Sequence, residues 1–237
     1  MSPKIRIREL KPIDLEEGYL IDGFPSVGFS SAIATESMIH TSKFELAGVI
    51  DSENFPPISI VKDGEPNFPT RIFVNEDLKV GVFLSFLTLD QSLHRITAKT
   101  MLKWAKEHKI RWIVSSVAIK SPDGNEEMMG IGSTDAARAK IREAGLRVLE
   151  HGTIPGIPGT LLNEGRMFQQ DVIVIVFHTS GEGPDFKSSA QLCMAMSKLI
   201  PGATCDIPSL QKEAEKAEIT IKETQEESKH LKDSMYR

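Results

Sequence analysis

Two runs of apolar residues constrain this chain more than any other feature. Trp112 to Ile119 and Val172 to His178 are almost unbroken by charge or turn residues. A strand with one wet face alternates apolar and polar side chains, whereas a short continuous apolar run suits a strand covered on both faces. Such strands form the middle of a sheet and require other elements packed above and below them.

The remaining pattern supplies those elements. Tyr19 to Asp22, Leu46 to Asp51 and Ile58 to Lys62 read as strands bounded by glycine, asparagine and proline. Arg71 to Asn75 and Lys79 to Phe86 read as a hairpin turned at Glu76-Asp77-Leu78. Helices fall between the strands. One opens at Gly28 and runs to about His40. A second carries Ile96, Thr97, Thr100, Met101, Trp104 and Ala105 on one face, with Thr88 and Gln91 spaced as a capping box at its start. A third spans about Thr134 to Ala144 and stops at Gly145. Another is expected from Pro158 or Gly159, and a last one from Phe186 to just before Pro201. Lys120 to Gly132, with Pro122, Asp123 and Gly124, reads as a long exposed loop. Strands alternating with helices give an α/β layered domain, and the hairpin makes its sheet mixed.

At 237 residues with 40% apolar content, the chain has enough material for a sizeable core without staples. A net charge of −5 argues against nucleic acid as a partner. There is no apolar run of transmembrane length, so no membrane association is expected. The N-terminal MSPKIRIREL lacks the apolar stretch of a signal peptide, and an intracellular, cytoplasmic protein is expected. Cys193 and Cys205 have neither metal-ligand nor CxxC spacing, and Cys193 reads as an ordinary core residue. His40, His94, His108 and His151 are scattered without a ligand pattern, so neither metal nor cofactor is expected.

Three segments have the form of functional loops. Gly23-Phe24-Pro25-Ser26-Val27-Gly28 joins a strand to a helix, where free N–H groups attract anions. Phe29 stands where a phosphate-binding loop needs lysine, which rejects that motif. Gly23, Phe24, Pro25 and Gly28 therefore form either a ligand loop or a tight turn in which glycine permits close backbone packing. Ile154 to Thr160 is a second glycine-proline segment, either a pocket rim or a rigid turn that orients the next helix. His178 to Gly183 follows the last strong strand, at the end where α/β proteins bind ligands. It lacks the G-x-S-x-G nucleophile elbow, and no catalytic residue is assigned.

The composition changes near Pro208. Residues 211–233 hold seven acids and five lysines, and a thin stripe of Leu210, Ala214, Ala217, Ile221, Thr224, Ser228, Leu231 and Met235 steps by threes and fours. Glu218 to Lys222 is a favourable i,i+4 pair, and Lys212 to Lys216 is an unfavourable one. Two domains are therefore expected: a body over 1–207 and a charged helical stalk over 208–237. The stalk ends in Met235-Tyr236-Arg237, and Tyr236 is one of only two tyrosines.

The stretch Tyr19-Leu20-Ile21-Asp22-Gly23-Phe24-Pro25-Ser26-Val27-Gly28, followed by Ser31-Ala32-Ile33-Ala34, resembles the opening motif of the proteasome assembly chaperone family. That motif often reads G-F-P-G-V-G, so Ser26 replaces a glycine. Asn54 to Pro57 is similar to the family too. So is Ile157 to Leu162, where G-L-N-G-L-L is the commoner form. The resemblance covers about residues 15–200. It implies a three-layer α/β/α fold with phosphorylase or hydrolase kinship, and a binding protein: an assembly chaperone or an energy-independent activator of the proteasome core particle. It also implies that Met235, Tyr236 and Arg237 form a hydrophobic-Tyr-any tail that enters pockets between α-subunits of the core particle. There the terminal carboxylate would pair with a lysine and Tyr236 would anchor the contact. One tail binds weakly, so a homo-oligomer presenting several is expected. The fold kinship leaves an alternative, a nucleosidase- or phosphorylase-like enzyme with substrate near Gly23–Gly28 and His178–Gly183.

Overall fold

The computed structural model describes residues 4–25, 27–62, 64–120, 127–179 and 183–211. Nine strands form one sheet. In chain order they are β1 (Arg6–Glu9), β2 (Tyr19–Gly23), β3 (Glu45–Asp51), β6 (Thr70–Asn75), β7 (Val80–Ser85), β8 (Trp112–Lys120), β9 (Met129–Gly132), β10 (Arg147–Val148) and β11 (Asp171–Thr179). A separate two-stranded ribbon comprises β4 (Ile60–Lys62) and β5 (Glu65–Asn67). Five helices accompany them: α1 (Ser30–Thr41), α2 (Gln91–Glu107), α3 (Asp135–Glu143), α4 (Gly156–Phe168) and α5 (Phe186–Leu199).

The spatial order is β1-β3-β6-β7-β2-β8-β11-β9-β10. The four strands β7, β2, β8 and β11 pair in parallel, while β1-β3-β6-β7 and β9-β11 pair antiparallel. The two long apolar runs are the neighbours β8 and β11, paired from Trp112–Asp171 to Lys120–Thr179. Val172 through Phe177 are all completely buried. Their side chains divide by parity between two cores, as strand geometry requires. Val172 and Val174 join α2 and α4 on one face, while Ile173, Ile175 and Phe177 join α1, α3 and α5 on the other. The result is a three-layer α/β/α domain with a mixed sheet.

The structure departs from the sequence reading in several details, among them the unexpected edge strands β1 and β10. The α2 cap is Asp90, whose carboxylate accepts the Ser92 N–H at 2.8 Å, not a Thr88–Gln91 box. The Lys120–Gly132 loop ends in a strand, β9, held antiparallel to β11. The strand placed at Ile58 to Lys62 begins at Ile60 and lies in the separate ribbon. Cys193 is buried in α5 as expected, but it is paired with Cys205, their Cα atoms 6.3 Å apart. That pairing fastens the strap after α5 to the α1–α5 layer.

The sheet edges are short. β10 has two residues, and β1 reads Arg-Ile-Arg-Glu with its arginines and glutamate exposed. β1 holds its place because Ile5 and Ile7 face the core and because Glu9 receives two donors from α2: Trp104 Nε1 at 2.7 Å and His108 Nε2 at 2.8 Å. Trp104 packs in turn on Phe83, with ring centroids 5.0 Å apart.

Candidate functional site

Because β7, β2 and β8 run parallel, their carboxyl ends open on one side of the sheet. The chain leaves β2 for α1 on one face and leaves β7 for α2 on the other. Ligand crevices in open α/β sheets form at such a divergence. Here it holds a cavity of about 860 Å³. Its floor is the end of β2 and the adjoining middle of β8, with Asp22, Phe24, Ser116 and Val117. Its walls are the first turns of α2 and α4 and the short 3-10 turn Val27–Phe29 that leads into α1.

Asp22 is the notable group on the floor. It lies next to the end of an otherwise apolar strand and is 4% exposed. Ser115 on β8 donates its hydroxyl to Oδ2 at 2.6 Å, and the Phe24 N–H donates to Oδ1 at 3.1 Å. Desolvation nonetheless dominates and pushes the carboxyl up to about 6, against the opposing pull of these two hydrogen bonds and of nearby His94. Behind the floor, the Ser31 and Ser116 hydroxyls lie 2.7 Å apart and tie α1 to β8.

The α2 wall supplies cationic and amphoteric groups. His94 Nε2 lies 3.2 Å from the Leu89 carbonyl, so that nitrogen carries the proton. Its Nδ1 then faces Gly156, where an added Cβ would lie 3.4 Å away. Gly156 has φ 73°, a left-handed conformation suited to glycine, and it opens α4 behind Pro155, whose side chain offers no cap. Arg95 is exposed at the mouth, and among the described residues no carboxylate forms an ion pair with it.

The structure brings two of the three sequence-predicted loops together. Phe24 and Pro25 of the first and Pro155 to Pro158 of the second both line this cavity. Gly23 ends β2 with no room for a side chain: a Cβ would sit 2.8 Å from the Phe83 carbonyl oxygen. Gly28 lies in the 3-10 turn, and Ser26 is outside the described residues. His178 and Thr179 are buried at the end of β11 and are not among the cavity's lining, while residues 180–182 are outside the described set. Met235, Tyr236 and Arg237 also lie outside the described residues, as does most of the stalk. The structure describes its first residues, 208–211, which are helical, and Leu210 is buried. Among the described residues no cluster of three or more His, Cys, Asp or Glu is placed to hold a metal, and no helix is long and apolar enough to cross a membrane.

The sequence pattern of the PAC2 family matches residues 20–225. The chain belongs to the PAC2 family. The match begins at β2, takes in every element of the cavity, and continues past the last described residue. A relative, the uncharacterised protein MJ0106 of Methanocaldococcus jannaschii, is 24% identical over 232 residues, covering 98% of this chain and 94% of that one. Among solved structures, this PAC2 fold is similar to Pyrococcus furiosus PbaA, an archaeal homologue of proteasome-assembly chaperone. The TM-score is 0.83 at 24% identity, over 98% of this chain and 96% of that one. It is also similar to Pyrococcus furiosus PbaB, an archaeal proteasome activator, with a TM-score of 0.78 at 18% identity over 95% of this chain and all of that one.

Asp22, His94 and Arg95 were not legible as site residues of this PAC2 chain. Each is a single polar residue in a different segment, without a motif. The signal that was present is a lone acid closing an apolar strand, Tyr19-Leu20-Ile21-Asp22, directly before a glycine turn.

Proposed function

We propose that this PAC2 protein binds the proteasome core particle, as an assembly chaperone or an energy-independent activator. The observation that carries the reading is the fold, shared over nearly its whole length with PbaA and PbaB. The contact is assigned to Met235, Tyr236 and Arg237, at the end of a charged stalk over 208–237 that leaves an α/β body over 1–207. In this reading Met235 fills an apolar groove and Tyr236 is the anchor, because its ring buries large area with few rotors to freeze. The partner surface is a pocket between α-subunits. A homo-oligomer presents several tails at once, and the protein acts in the cytoplasm.

What the described residues contribute is the mounting of the stalk. The strap after α5 is bonded to α1 by Thr204 N–H to Ser42 Oγ at 3.2 Å and by Asp206 N–H to Ser37 Oγ at 3.3 Å. The Cys193–Cys205 pair and buried Leu210 add to that hold. These contacts fix the base of the proposed stalk to the body.

The test is capture of purified core particle by the full chain and by a version ending at Ser234. Capture by the full chain with loss in the shortened one supports the reading. Equal recovery, or none from either, removes it.

A further inference from the structure

We propose that the cavity between the end of β2 and the middle of β8 binds a small organic acid that carries an amino or hydroxyl group beside an apolar body. The site is independent of the stalk and of any contact made by it.

The volume, about 860 Å³, falls within the range of small-molecule sites. Its polarity is graded from floor to mouth. At the floor, Asp22 is almost fully buried and accepts two hydrogen bonds, from Ser115 and from the Phe24 N–H. An ionised carboxylate has about four lone-pair positions, so Asp22 retains capacity for a further donor. Burial also holds its carboxyl at about 6. A ligand ammonium or hydroxyl placed there stabilises the ionised form that the protein alone stabilises incompletely.

At the mouth the sign reverses. Arg95 is exposed and free of carboxylate partners among the described residues, and Gln91 beside it adds amide donors. A guanidinium with a neighbouring amide suits a carboxylate or phosphate group. Around Asp22 the lining is apolar: Phe24 and Val117 on the floor, Phe29 and Ile157 on the walls. Phe29 and Val27 are 38% and 39% exposed, unusual for large apolar groups placed at a cavity. A purely apolar ligand would leave both charged groups unmatched. A bare acid would bring a second negative charge toward Asp22, and a bare amine would leave Arg95 unused. Only a molecule with both functions matches the gradient.

The experiment titrates the full-length chain by calorimetry with four probes that share one ring: L-phenylalanine, 3-phenyllactate, 3-phenylpropionate and 2-phenylethylamine. The expected result is saturable binding of the first two, with 3-phenylpropionate weaker by about tenfold for want of the donor. Arg95→Met is expected to weaken all three acids by about tenfold and to leave 2-phenylethylamine unchanged. Asp22→Asn is expected to erase the advantage of phenylalanine over phenylpropionate. If that buried variant does not fold, the wild-type probe series and Arg95→Met at the rim decide the matter. The absence of saturable binding of any probe below about 10 mM overturns the proposal. So does equal binding of all four, which would mean an apolar slot alone, and so does acid binding indifferent to Arg95→Met.

Discussion

Ser115 donates its hydroxyl to Asp22 across 2.6 Å, so the one carboxylate on the cavity floor is held by the neighbouring central strand. The bond links β2 to β8 beside the point where the chain leaves β2 for α1. It fixes the carboxylate's orientation without offsetting its desolvation, which is why the group stays at about 6.

Asp22 should therefore make the protein less stable as pH rises. Its folded value of about 6 exceeds the unfolded value of 3.8, so between these values the folded state holds a proton that the unfolded state has released. Stability from this group is full below pH 4 and falls until pH 6, by roughly 2–3 kcal/mol. Asp22→Asn should remove that slope and exceed wild type in stability at pH 7 by a similar amount. Urea unfolding of both proteins at pH 4, 5, 6 and 7 measures it; parallel curves would show that the carboxyl is not perturbed.

Gly23→Ala should destabilise through contact, not backbone conformation. The new Cβ would approach the Phe83 carbonyl oxygen to 2.8 Å and Thr35 Oγ1 to 3.1 Å. Carbonyls in a sheet ladder move little, and overpacking of this kind costs about 1–3 kcal/mol. Thermal unfolding should show a melting point several degrees lower.

Glu9→Ala should loosen β1 from α2. Glu9 is the shared acceptor for Trp104 and His108, and Trp104 is 2% exposed. Stranding the indole N–H is expected to cost about 1–2 kcal/mol, and Glu9→Gln less, because its amide oxygen still accepts. Denaturant midpoints and exchange protection of the β1 amides read both effects.

Reduction should release the strap after α5. Cys193 and Cys205 close a loop with a sequence separation of 12. Opening a loop of that size removes about 2–3 kcal/mol. Mass spectrometry after alkylation should find two labelled cysteines only in reduced, unfolded protein, and Cys205→Ser should match the reduced form's midpoint.

The central strands, the β6–β7 hairpin and most helices were legible because each announces itself locally, by an apolar run, a 3.6-residue stripe or a terminal glycine. β1 was hidden because arginine and glutamate flank its inward Ile7, so charge masked the alternation. β9 was hidden because Met129-Gly130-Ile131-Gly132 carries two glycines, which read as loop. The sheet uses them for close contact: a Cβ on Gly130 would meet Ile141 at 2.7 Å, and one on Gly132 would meet the Arg138 N–H at 2.6 Å. The Thr88–Gln91 spacing fitted a capping box, yet Asp90 lies nearer the first turn and takes the role. The cavity was half legible. Its two glycine-proline loops stood out one by one, but a sequence does not display that β2 and α4 meet across it, nor that His94 and Arg95 face both.

The short, charged margins of the sheet restrict how this molecule can assemble. Extension from copy to copy requires a long edge with free backbone groups and tolerant side chains. At one margin an incoming strand would meet Arg6, Arg8 and Glu9; at the other it would find two residues to pair with. Growth by strand addition into fibres or continuous sheets is thereby discouraged at both margins of the sheet.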